Sequence, residues 1–215
     1  MLSLLAVLAA AGPAVASFAG EATFYGGNTK GGMCSFSTYD IPDGIYGTAL
    51  SDSNWDGSEA CGGCVEVTGP NGMKITAMVT DQCPGCGTNH LDLYPDAFSQ
   101  LADPSEGIID VTWDYVDCPI STPLQVHMKS GVSPYYFSAQ IVNANKRVAE
   151  LEYSTDGGST WKGGLERQPY NFFLLSSGTG TNTVSVRAES VDGDRVVVND
   201  VEVKSDNLVT AQGNF

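Results

Sequence analysis

The sequence predicts an all-β protein with two domains. Short runs of alternating apolar and polar residues recur along the chain, separated by turns that draw on 25 glycines and 10 prolines. This pattern is typical of β-strands joined by tight turns. All six cysteines lie between Cys34 and Cys118, so the second half must hold together by packing alone. This asymmetry indicates that a domain ends near Cys118.

The N-terminus has the pattern of a secretory signal peptide. An apolar run follows Met1, and the small-residue triplet Ala14-Val15-Ala16 suits a cleavage site before Ser17. We assign residues 1–16 to this signal; because they carry no Lys or Arg, a disordered or misread start is the alternative. No later stretch reaches the roughly 20 apolar residues of a spanning helix. The sequence therefore predicts a soluble, secreted protein of the extracellular space or cell wall.

The chain is strongly acidic, with a net charge of −15 and only 10 Lys and Arg residues. Nucleic acid binding needs a basic surface that neutralises phosphates, so the charge argues against this class of partner. The same charge disfavours acidic polysaccharides and favours neutral partners. We expect no membrane partner, no cofactor and no metal.

The cysteine spacing permits two interpretations. Cys61-x-x-Cys64 and Cys83-x-x-Cys86 are separated as in zinc ribbons. Secretion favours disulfides instead, and a zinc site would leave Cys34 and Cys118 unused. The second pair lacks the βαβ pattern of a redox site, so we expect a structural loop clip. Six cysteines permit many pairings, and the sequence alone does not select one.

Residues 17–118 are predicted to form the first domain. One short helix is predicted over Tyr94–Leu101, where Pro95 fits the first turn and an apolar face follows. The turn Gly69–Gly72 suits a hairpin between two strands. The predicted strands are Ala22–Tyr25, Cys64–Thr68, Lys74–Thr80, Leu91–Leu93 and Ile108–Trp113.

Residues 119–123 contain two prolines and are predicted to link the domains. Residues 124–204 are predicted to form the second domain, and residues 205–215 a C-terminal tail. Six or more strands without a helix predict a small β-sandwich. The predicted strands are Leu124–Met128, Phe137–Val142, Ala149–Ser154, Phe172–Leu175, Thr183–Ser190 and Val196–Val203.

Motifs in both halves resemble the expansins, in particular the microbial expansin-like proteins. In the second half, Lys129, the pair Tyr135-Tyr136 and Tyr170-Asn171-Phe172 fall in the order and spacing of the expansin carbohydrate-binding domain. The resemblance covers nearly all of residues 20–204. The first-half motifs are Gly20-Glu-Ala-Thr-Phe-Tyr-Gly26, Ala60-Cys-Gly-Gly-Cys64, Val79-Thr-Asp-Gln-Cys-Pro-Gly-Cys86 and Asn89-His-Leu-Asp-Leu93.

This resemblance implies a specific architecture. A six-stranded double-psi β-barrel would be followed by an immunoglobulin-like β-sandwich that binds carbohydrate, with an open polysaccharide groove across both. Asp81 and Asp92 would stand on the floor of the groove. The implied disulfides are Cys34–Cys61, Cys64–Cys118 and Cys83–Cys86.

The same resemblance bears on catalysis. Inverting glycoside hydrolysis needs two carboxyl groups about 6.5–9.5 Å apart, one acting as acid and one as base. Small endoglucanases on this barrel carry the acid in an Asn-His-x-Asp motif, which Asn89-His90-Leu91-Asp92 matches. They carry the base in a Thr-x-Tyr-x-Asp motif, where this chain has Gly27 in place of the aspartate. We therefore expect negligible hydrolysis, because no base activates water.

Two routes to cleavage stay open. A carboxylate from the acidic loop could replace the missing base, the candidates being Asp40, Asp43, Asp52 and Asp56. Lytic transglycosylases share this barrel and cleave with a single acid, using a hydroxyl of the sugar instead of water.

We expect Asp92 to act as a hydrogen-bonding wedge between glucan chains, with Thr23, Tyr25 and Asp81 completing the polar set. The structural alternatives are a strand filler for Thr23, a half-buried core residue for Tyr25 and a loop cap for Asp81. His90 is expected to point away from Asp92 as a structural residue. We assign no role to His127.

Tyr135, Tyr136 and Tyr170 are the candidates for an aromatic platform that stacks on flat sugar faces. Neighbours on a regular strand face opposite sides, but Pro134 places the tyrosine pair at a strand entrance, where both rings can face outward. The alternative leaves one tyrosine exposed and one in the core. Lys129 is expected to flank the platform.

The sequence therefore predicts a monomeric, non-hydrolytic, expansin-like protein. It would bind cellulose, xyloglucan or another β-glucan and loosen cell-wall polysaccharide networks. The first alternative is a glycan-cleaving enzyme, either an endoglucanase or a lytic transglycosylase. The second is a wall protein that binds carbohydrate without loosening the wall.

Overall fold

The computed structural model describes residues 17–215; the predicted signal segment, residues 1–16, lies outside the described residues. Six strands of the first domain close into a barrel in the order β1-β5-β2-β4-β3-β6. The pairs β1–β5 and β2–β4 are parallel and the other pairs are antiparallel. The predicted double-psi barrel is thereby confirmed. The strands are β1 Phe18–Phe24, β2 Tyr46–Ser51, β3 Cys64–Thr68, β4 Lys74–Cys83, β5 Leu91–Leu93 and β6 Ile109–Val116.

Strand β2 was missing from the strands predicted by residue pattern. It lies between β5 and β4, and all of its residues after Tyr46 are buried. A strand covered on both faces loses the alternation of apolar and polar residues by which strands are recognised. Only the resemblance implied a sixth strand.

Two short helices accompany the barrel: α1 at Asp52–Trp55 and α2 at Pro95–Leu101. The predicted helix is confirmed in α2, with Tyr94 as the N-cap and Pro95 in the first turn. Its buried residues are Ala97, Phe98 and Leu101, which join the barrel core.

The second domain is a sandwich of two sheets. One sheet has the order β10-β11-β8-β7-β14 and the other has the order β13-β12-β9. Its core is aliphatic and aromatic and contains no cysteine. The strands are β7 Gln125–Met128, β8 Phe137–Val142, β9 Val148–Ser154, β10 Glu166–Arg167, β11 Phe173–Leu175, β12 Thr183–Ser190, β13 Arg195–Glu202 and β14 Leu208–Thr210.

The C-terminal segment differs from its predicted description. Residues 205–215 were predicted to be a tail outside the second domain, yet strand β14 lies within them and pairs with β7. Ala211 is buried in the core of the sandwich. A strand of three residues is too short to show a period in the sequence. Strand β6 ends at Val116 and β7 begins at Gln125, and the predicted limits of the two domains stay a prediction.

All six cysteines are paired, so no thiolate is left for a zinc site. The pairs are those that the resemblance implied, and all three lie in the barrel domain. They are Cys34–Cys61, Cys64–Cys118 and Cys83–Cys86.

The two domains touch through polar and aromatic contacts. The carbonyl of Cys34 in the barrel accepts hydrogen bonds from Gln140 Nε2 (3.2 Å) and Asn171 Nδ2 (3.3 Å) of the sandwich. The guanidinium of Arg147 lies 4.0 Å from the centroid of the Tyr115 ring. These contacts hold the barrel and the sandwich in a defined relative orientation. Within residues 17–215, no helix has the length and apolar character to cross a membrane.

Candidate functional site

Three of the predicted groove residues lie in one row across the barrel. Thr23 on β1 is in register with Asp92 on β5, and Ala49 on β2 is in register with both Asp92 and Asp81 on β4. Two strand spacings therefore put the Cα atoms of Asp92 and Asp81 about 10 Å apart. Leu91 is fully buried inside the barrel, so alternation along β5 turns Asp92 outward.

Asp92 is held by a short hydrogen bond. The hydroxyl of Thr23 donates to Asp92 Oδ1 at 2.6 Å, and His90 Nε2 lies 2.8 Å from the same hydroxyl oxygen. Because the single hydroxyl proton is given to Asp92, His90 Nε2 must donate to Thr23. The three side chains form a chain of hydrogen bonds that ends on the carboxylate.

The prediction that His90 points away from Asp92 is wrong. His90 directly precedes strand β5 and extends its alternation, so it faces the same side as Asp92, and both side chains contact the Thr23 hydroxyl. His90 is nevertheless buried, with 7% of its surface exposed. It acts on the site through Thr23.

Asp81 accepts three hydrogen bonds from the protein. Its Oδ1 accepts from the backbone N–H of Met33 (2.7 Å) and of Gln82 (2.9 Å), and its Oδ2 accepts from the Tyr25 hydroxyl (3.4 Å). Burial raises the pKa of Tyr25, and the nearby Tyr94 and Asp81 add to this shift, so Tyr25 stays a donor. Asp81 thereby attaches the loop that contains Met33 to the barrel.

Tyr94 is a site residue that the sequence did not reveal. Its hydroxyl accepts from the backbone N–H of Asn28 (3.0 Å) and lies 2.7 Å from Thr29 Oγ1 and 3.0 Å from Thr80 Oγ1. Its ring packs edge-on against Tyr25, with 5.6 Å between centroids. The sequence offered Tyr94 only as the start of a helix, and no motif marked its side chain.

The backbone and surroundings of Gly27 disfavour a side chain. Its φ is +76°, a left-handed conformation that costs other residues about 1–2 kcal/mol. A Cβ atom there would lie 3.0 Å from the Tyr94 ring, and a Cβ atom at Gly47 would lie 2.5 Å from the same ring. The Tyr94 ring thus occupies the space beside Gly27.

Two of the four carboxylates considered as substitutes for a base, Asp40 and Asp52, are bound to other groups. Asp40 pairs with Lys30 at 2.9 Å, and Asp52 accepts from Gln82 Nε2 and the N–H of Gly85. The other two candidates are Asp43 and Asp56. Among residues 17–215, none of the four carboxylates makes a hydrogen bond to Thr23 or Asp92.

The tyrosines of the second domain differ in exposure. Tyr135 is 80% exposed, whereas Tyr136 is half-buried and packs against the core of the sandwich. Partial burial raises the pKa of Tyr170, and the neighbouring Tyr136 adds to the shift. Lys129 Nζ lies 6.0 Å from the centroid of the Tyr170 ring. Tyr136, Tyr170 and Lys129 are therefore neighbours, whereas the pair Tyr135-Tyr136 divides into one exposed ring and one ring packed against the core.

Comparisons with known proteins agree with this architecture. Residues 47–113 match a double-psi barrel family model described as "Lytic transglycolase". Expansin-YoaJ of Bacillus subtilis is 34% identical over 178 residues, which cover 81% of this chain and 74% of that protein. Expansin-like protein 5 of Dictyostelium discoideum is 29% identical over 203 residues, which cover 91% of this chain and 84% of that protein.

Two solved structures are similar over nearly the whole chain. The apo expansin of Clavibacter michiganensis has a TM-score of 0.81 and 29% identity, covering 93% of this chain and 98% of that one. A mutant of that expansin in complex with cellohexaose has a TM-score of 0.82 and 28% identity, with the same coverage. From its fold and from the extent of its identity to these relatives, the chain belongs to the expansin family.

Proposed function

We propose that this protein is secreted, binds cellulose or a related β-glucan as a monomer, and loosens cell-wall polysaccharide networks without hydrolysis. The observation that carries the proposal is the groove itself. Asp92 is held by Thr23, while the position of a water-activating base is occupied by Gly27 beside the Tyr94 ring. Secretion is supported by the signal pattern of residues 1–16 and by the three disulfides.

The Asp92 carboxylate can accept a further hydrogen bond from a sugar. Its Oδ1 accepts from Thr23, but within residues 17–215 its Oδ2 accepts no hydrogen bond from the protein. A glucan hydroxyl that donates to Oδ2 would exchange a glucan–glucan hydrogen bond for a glucan–protein one. Repeated along a chain, this exchange would weaken the contact between two polymers without breaking a covalent bond.

The tyrosines supply the second part of the binding. Planar side chains cover the apolar faces of pyranose rings, which are the surfaces that crystalline cellulose exposes. The proposal is supported by the proximity of Tyr136, Tyr170 and Lys129 and by the exposure of Tyr135. The cellohexaose complex of a related expansin supports a cellulose-type chain as the ligand. Xyloglucan has the same β-glucan backbone and is a further candidate.

The test combines wall mechanics with chemistry. Asp92→Asn preserves the shape of the side chain and removes its charge, so we expect it to reduce wall-creep activity to the level of buffer while cellulose binding persists through the tyrosines. Reducing ends released from soluble β-glucan should stay at the blank level for both proteins. Reducing ends that depend on Asp92 would overturn the proposal in favour of an endoglucanase. Creep unchanged in Asp92→Asn would point to a coating protein that binds through the tyrosines.

The second candidate function is lytic transglycosylation. It is favoured by the match of residues 47–113 to the lytic transglycolase model, a range that includes Asp92. In this reaction Asp92 would protonate the glycosidic oxygen as the glycosidic bond breaks. A hydroxyl of the same sugar would attack the anomeric carbon and give its proton to the Asp92 carboxylate. The product would carry an anhydro end, one water lighter than a hydrolysis product. Mass spectrometry of treated glycans would detect it, and its presence only with intact Asp92 would establish this candidate.

A further inference from the structure

A cavity of about 450 Å³ lies beside the groove, and the Tyr94 side chain belongs to both. Its ring packs edge-on against Tyr25, which donates to Asp81, and it also lines the cavity. The other lining residues are Thr29, residues 40–47 and Asp96. The volume falls within the range of small-molecule sites, about 300–1,000 Å³. The cavity is therefore large enough for one sugar unit and adjoins the residues proposed to hold a glucan.

The cavity is displaced from the groove in the direction of the strands. The row of groove residues crosses β1, β5, β2 and β4, and Ala49 of β2 lies within it. Gly47, which lines the cavity, precedes Ala49 by two, so it lies on the same face of the sheet about 7 Å from the row. The Tyr94 ring covers this face at Gly47, where a Cβ atom would lie 2.5 Å from it. A glucan backbone that follows the row therefore passes beside the cavity, and a group that branches from the backbone can enter it.

The cavity wall combines apolar surface with unused hydrogen-bond acceptors. Within residues 17–215, the Asp43 carboxylate accepts no hydrogen bond, and Asp96 accepts only one, at Oδ1 from the N–H of Ala97 (3.0 Å). Both carboxylate side chains are exposed, so a ligand in the cavity can reach them. Sugars have apolar ring faces and hydroxyl donors, and this wall complements both. The apolar part of the wall consists of four half-buried side chains, Ile41, Pro42, Tyr46 and Tyr94.

The charge of the wall restricts the kind of sugar. Asp40 is paired with Lys30 at 2.9 Å, whereas within residues 17–215 neither Asp43 nor Asp96 has a cationic partner. Two uncompensated carboxylates repel a uronic acid, because like charges brought together lower the affinity. A neutral sugar meets no such repulsion.

We propose that the cavity is a subsite for a neutral sugar branch of a substituted β-glucan whose backbone lies in the groove. The xylosyl branches of xyloglucan have this chemistry. Hydroxyls of the branch donate to Asp43 and Asp96, and its ring face covers the apolar wall. The inference rests on the proposed glucan binding and deepens it, because it assigns branched rather than unbranched β-glucans as the preferred class of substrate.

Calorimetric titration with two matched ligands tests the subsite. One ligand is a xyloglucan oligosaccharide, and the other is the unbranched cello-oligosaccharide with the same backbone length. We expect the wild type to bind the branched ligand about three- to tenfold more tightly, the range for one or two additional hydrogen bonds. The double variant Asp43→Ala/Asp96→Ala should lose this preference and bind the unbranched ligand like the wild type.

A matched control removes the same charge without touching the cavity. Glu106 and Asp110 are exposed carboxylates of the barrel domain that do not line it. The double variant Glu106→Ala/Asp110→Ala should keep the preference of the wild type for the branched ligand. A preference lost equally in both double variants would mean that net charge causes it, and would overturn the subsite.

The outcomes separate this inference from the proposed function. If the wild type binds both oligosaccharides with equal affinity, the subsite is wrong and the proposed function stands. The subsite is also wrong if the substitution of Asp43 and Asp96 weakens binding of both ligands to the same extent. If the wild type binds neither ligand, the proposed glucan binding is overturned together with the subsite.

NMR titration of the wild type provides a test that needs no variant. We expect the amide resonances of Gly44 and Ile45, which line the cavity, to shift with the branched oligosaccharide only. The amide resonance of Asp92 should shift with both ligands, because both place a backbone in the groove. Resonances of Gly44 and Ile45 that stay unchanged at saturation with the branched ligand would overturn the proposal.

Discussion

The groove on the barrel and the platform on the sandwich are built in different ways. In the groove, Asp92 and Asp81 are each fixed by hydrogen bonds from the protein, and three disulfides lie in the same domain. On the platform, within residues 17–215, the tyrosine hydroxyls form no hydrogen bond with the protein, and Tyr135 is 80% exposed. The groove therefore depends on the position of single atoms, and the platform on exposed aromatic area. We therefore expect a substitution that changes a single atom to have a large effect on activity in the groove and a small effect on binding at the platform.

The difference extends to how each domain keeps its shape. The barrel has covalent links as well as a core, whereas the core of the sandwich is held by packing and by its contacts with the barrel. Arg167 of the sandwich is an example of such a contact, since its Nη1 lies 3.4 Å from the carbonyl of Ser58 in the barrel. Burial lowers the pKa of Arg167 to about 10. Disulfides therefore help to stabilise the barrel, whereas buried polar contacts with the barrel help to stabilise the sandwich.

The largest effect should come from removing a disulfide of the barrel. Cys64 and Cys118 are separated by 54 positions, and replacing both by serine should lower the free energy of unfolding by about 2–5 kcal/mol. Denaturant unfolding followed by tryptophan fluorescence, to which Trp55 and Trp113 of the barrel core contribute, measures this loss. The matched control replaces Cys83 and Cys86, which are separated by 3 positions, and should lose less because the closed loop is short. Equal losses of unfolding free energy in the two double variants would contradict a role of loop length.

The platform is tested by the double substitution of Tyr136 and Tyr170 to alanine. We expect cellulose binding to weaken about tenfold or more, because the aromatic surface at the centre of the platform is lost. Binding of the wild type should hardly change with salt, since stacking is not a charge interaction. Tyr153→Ala is the matched control, because Tyr153 lies on the other sheet with Lys162 Nζ 5.8 Å from its ring centroid. Depletion isotherms that collapse in salt would disprove the platform.

The closed position beside Tyr94 is tested by Gly27→Asp. The left-handed backbone and the contact with the Tyr94 ring should lower the free energy of unfolding by about 1–2 kcal/mol. The new carboxylate should not produce reducing ends from soluble β-glucan. Gly26→Asp is the control, because no atom lies within 4 Å of a Cβ built at Gly26, so it should be tolerated. Hydrolysis by Gly27→Asp would show that the groove lacked only a base.

The smallest effect concerns pH in the sandwich. Hydrogen bonds from Ser154 and Thr160 lower the pKa of Asp156 to about 2. A lowered folded-state pKa stabilises the fold above the unfolded-state value of about 3.9, and this contribution is lost as pH falls towards 2. We therefore expect Asp156→Asn to unfold at a slightly lower temperature than the wild type at neutral pH. The two midpoints should converge near pH 2, and a difference that grows on acidification would contradict the assignment.

The sequence succeeded where local chemistry or a motif was sufficient. Helix α2 was predicted from Pro95 and its apolar face, and the disulfide pairs followed from the resemblance. The residue pattern did not predict strand β2, because both of its faces are buried and its residues do not alternate between apolar and polar. It did not predict strand β14 either, because three residues are too few to show an alternating pattern. His90 was misassigned because its spacing from Asp92 was misread, although the period of a strand places both on one side.

The amino-acid sequence by itself determined the fold class, the family and the presence of Gly27 at the position that the resemblance assigns to a catalytic base. These depend on residue identity and spacing along the chain. Only the tertiary structure decided that Tyr94 fills the space beside Gly27 and that His90 reaches Asp92 through Thr23. Each of these depends on side chains from separate strands or from a strand and a loop, and their distances are set by barrel closure and domain contact. No local pattern in the sequence encodes such distances.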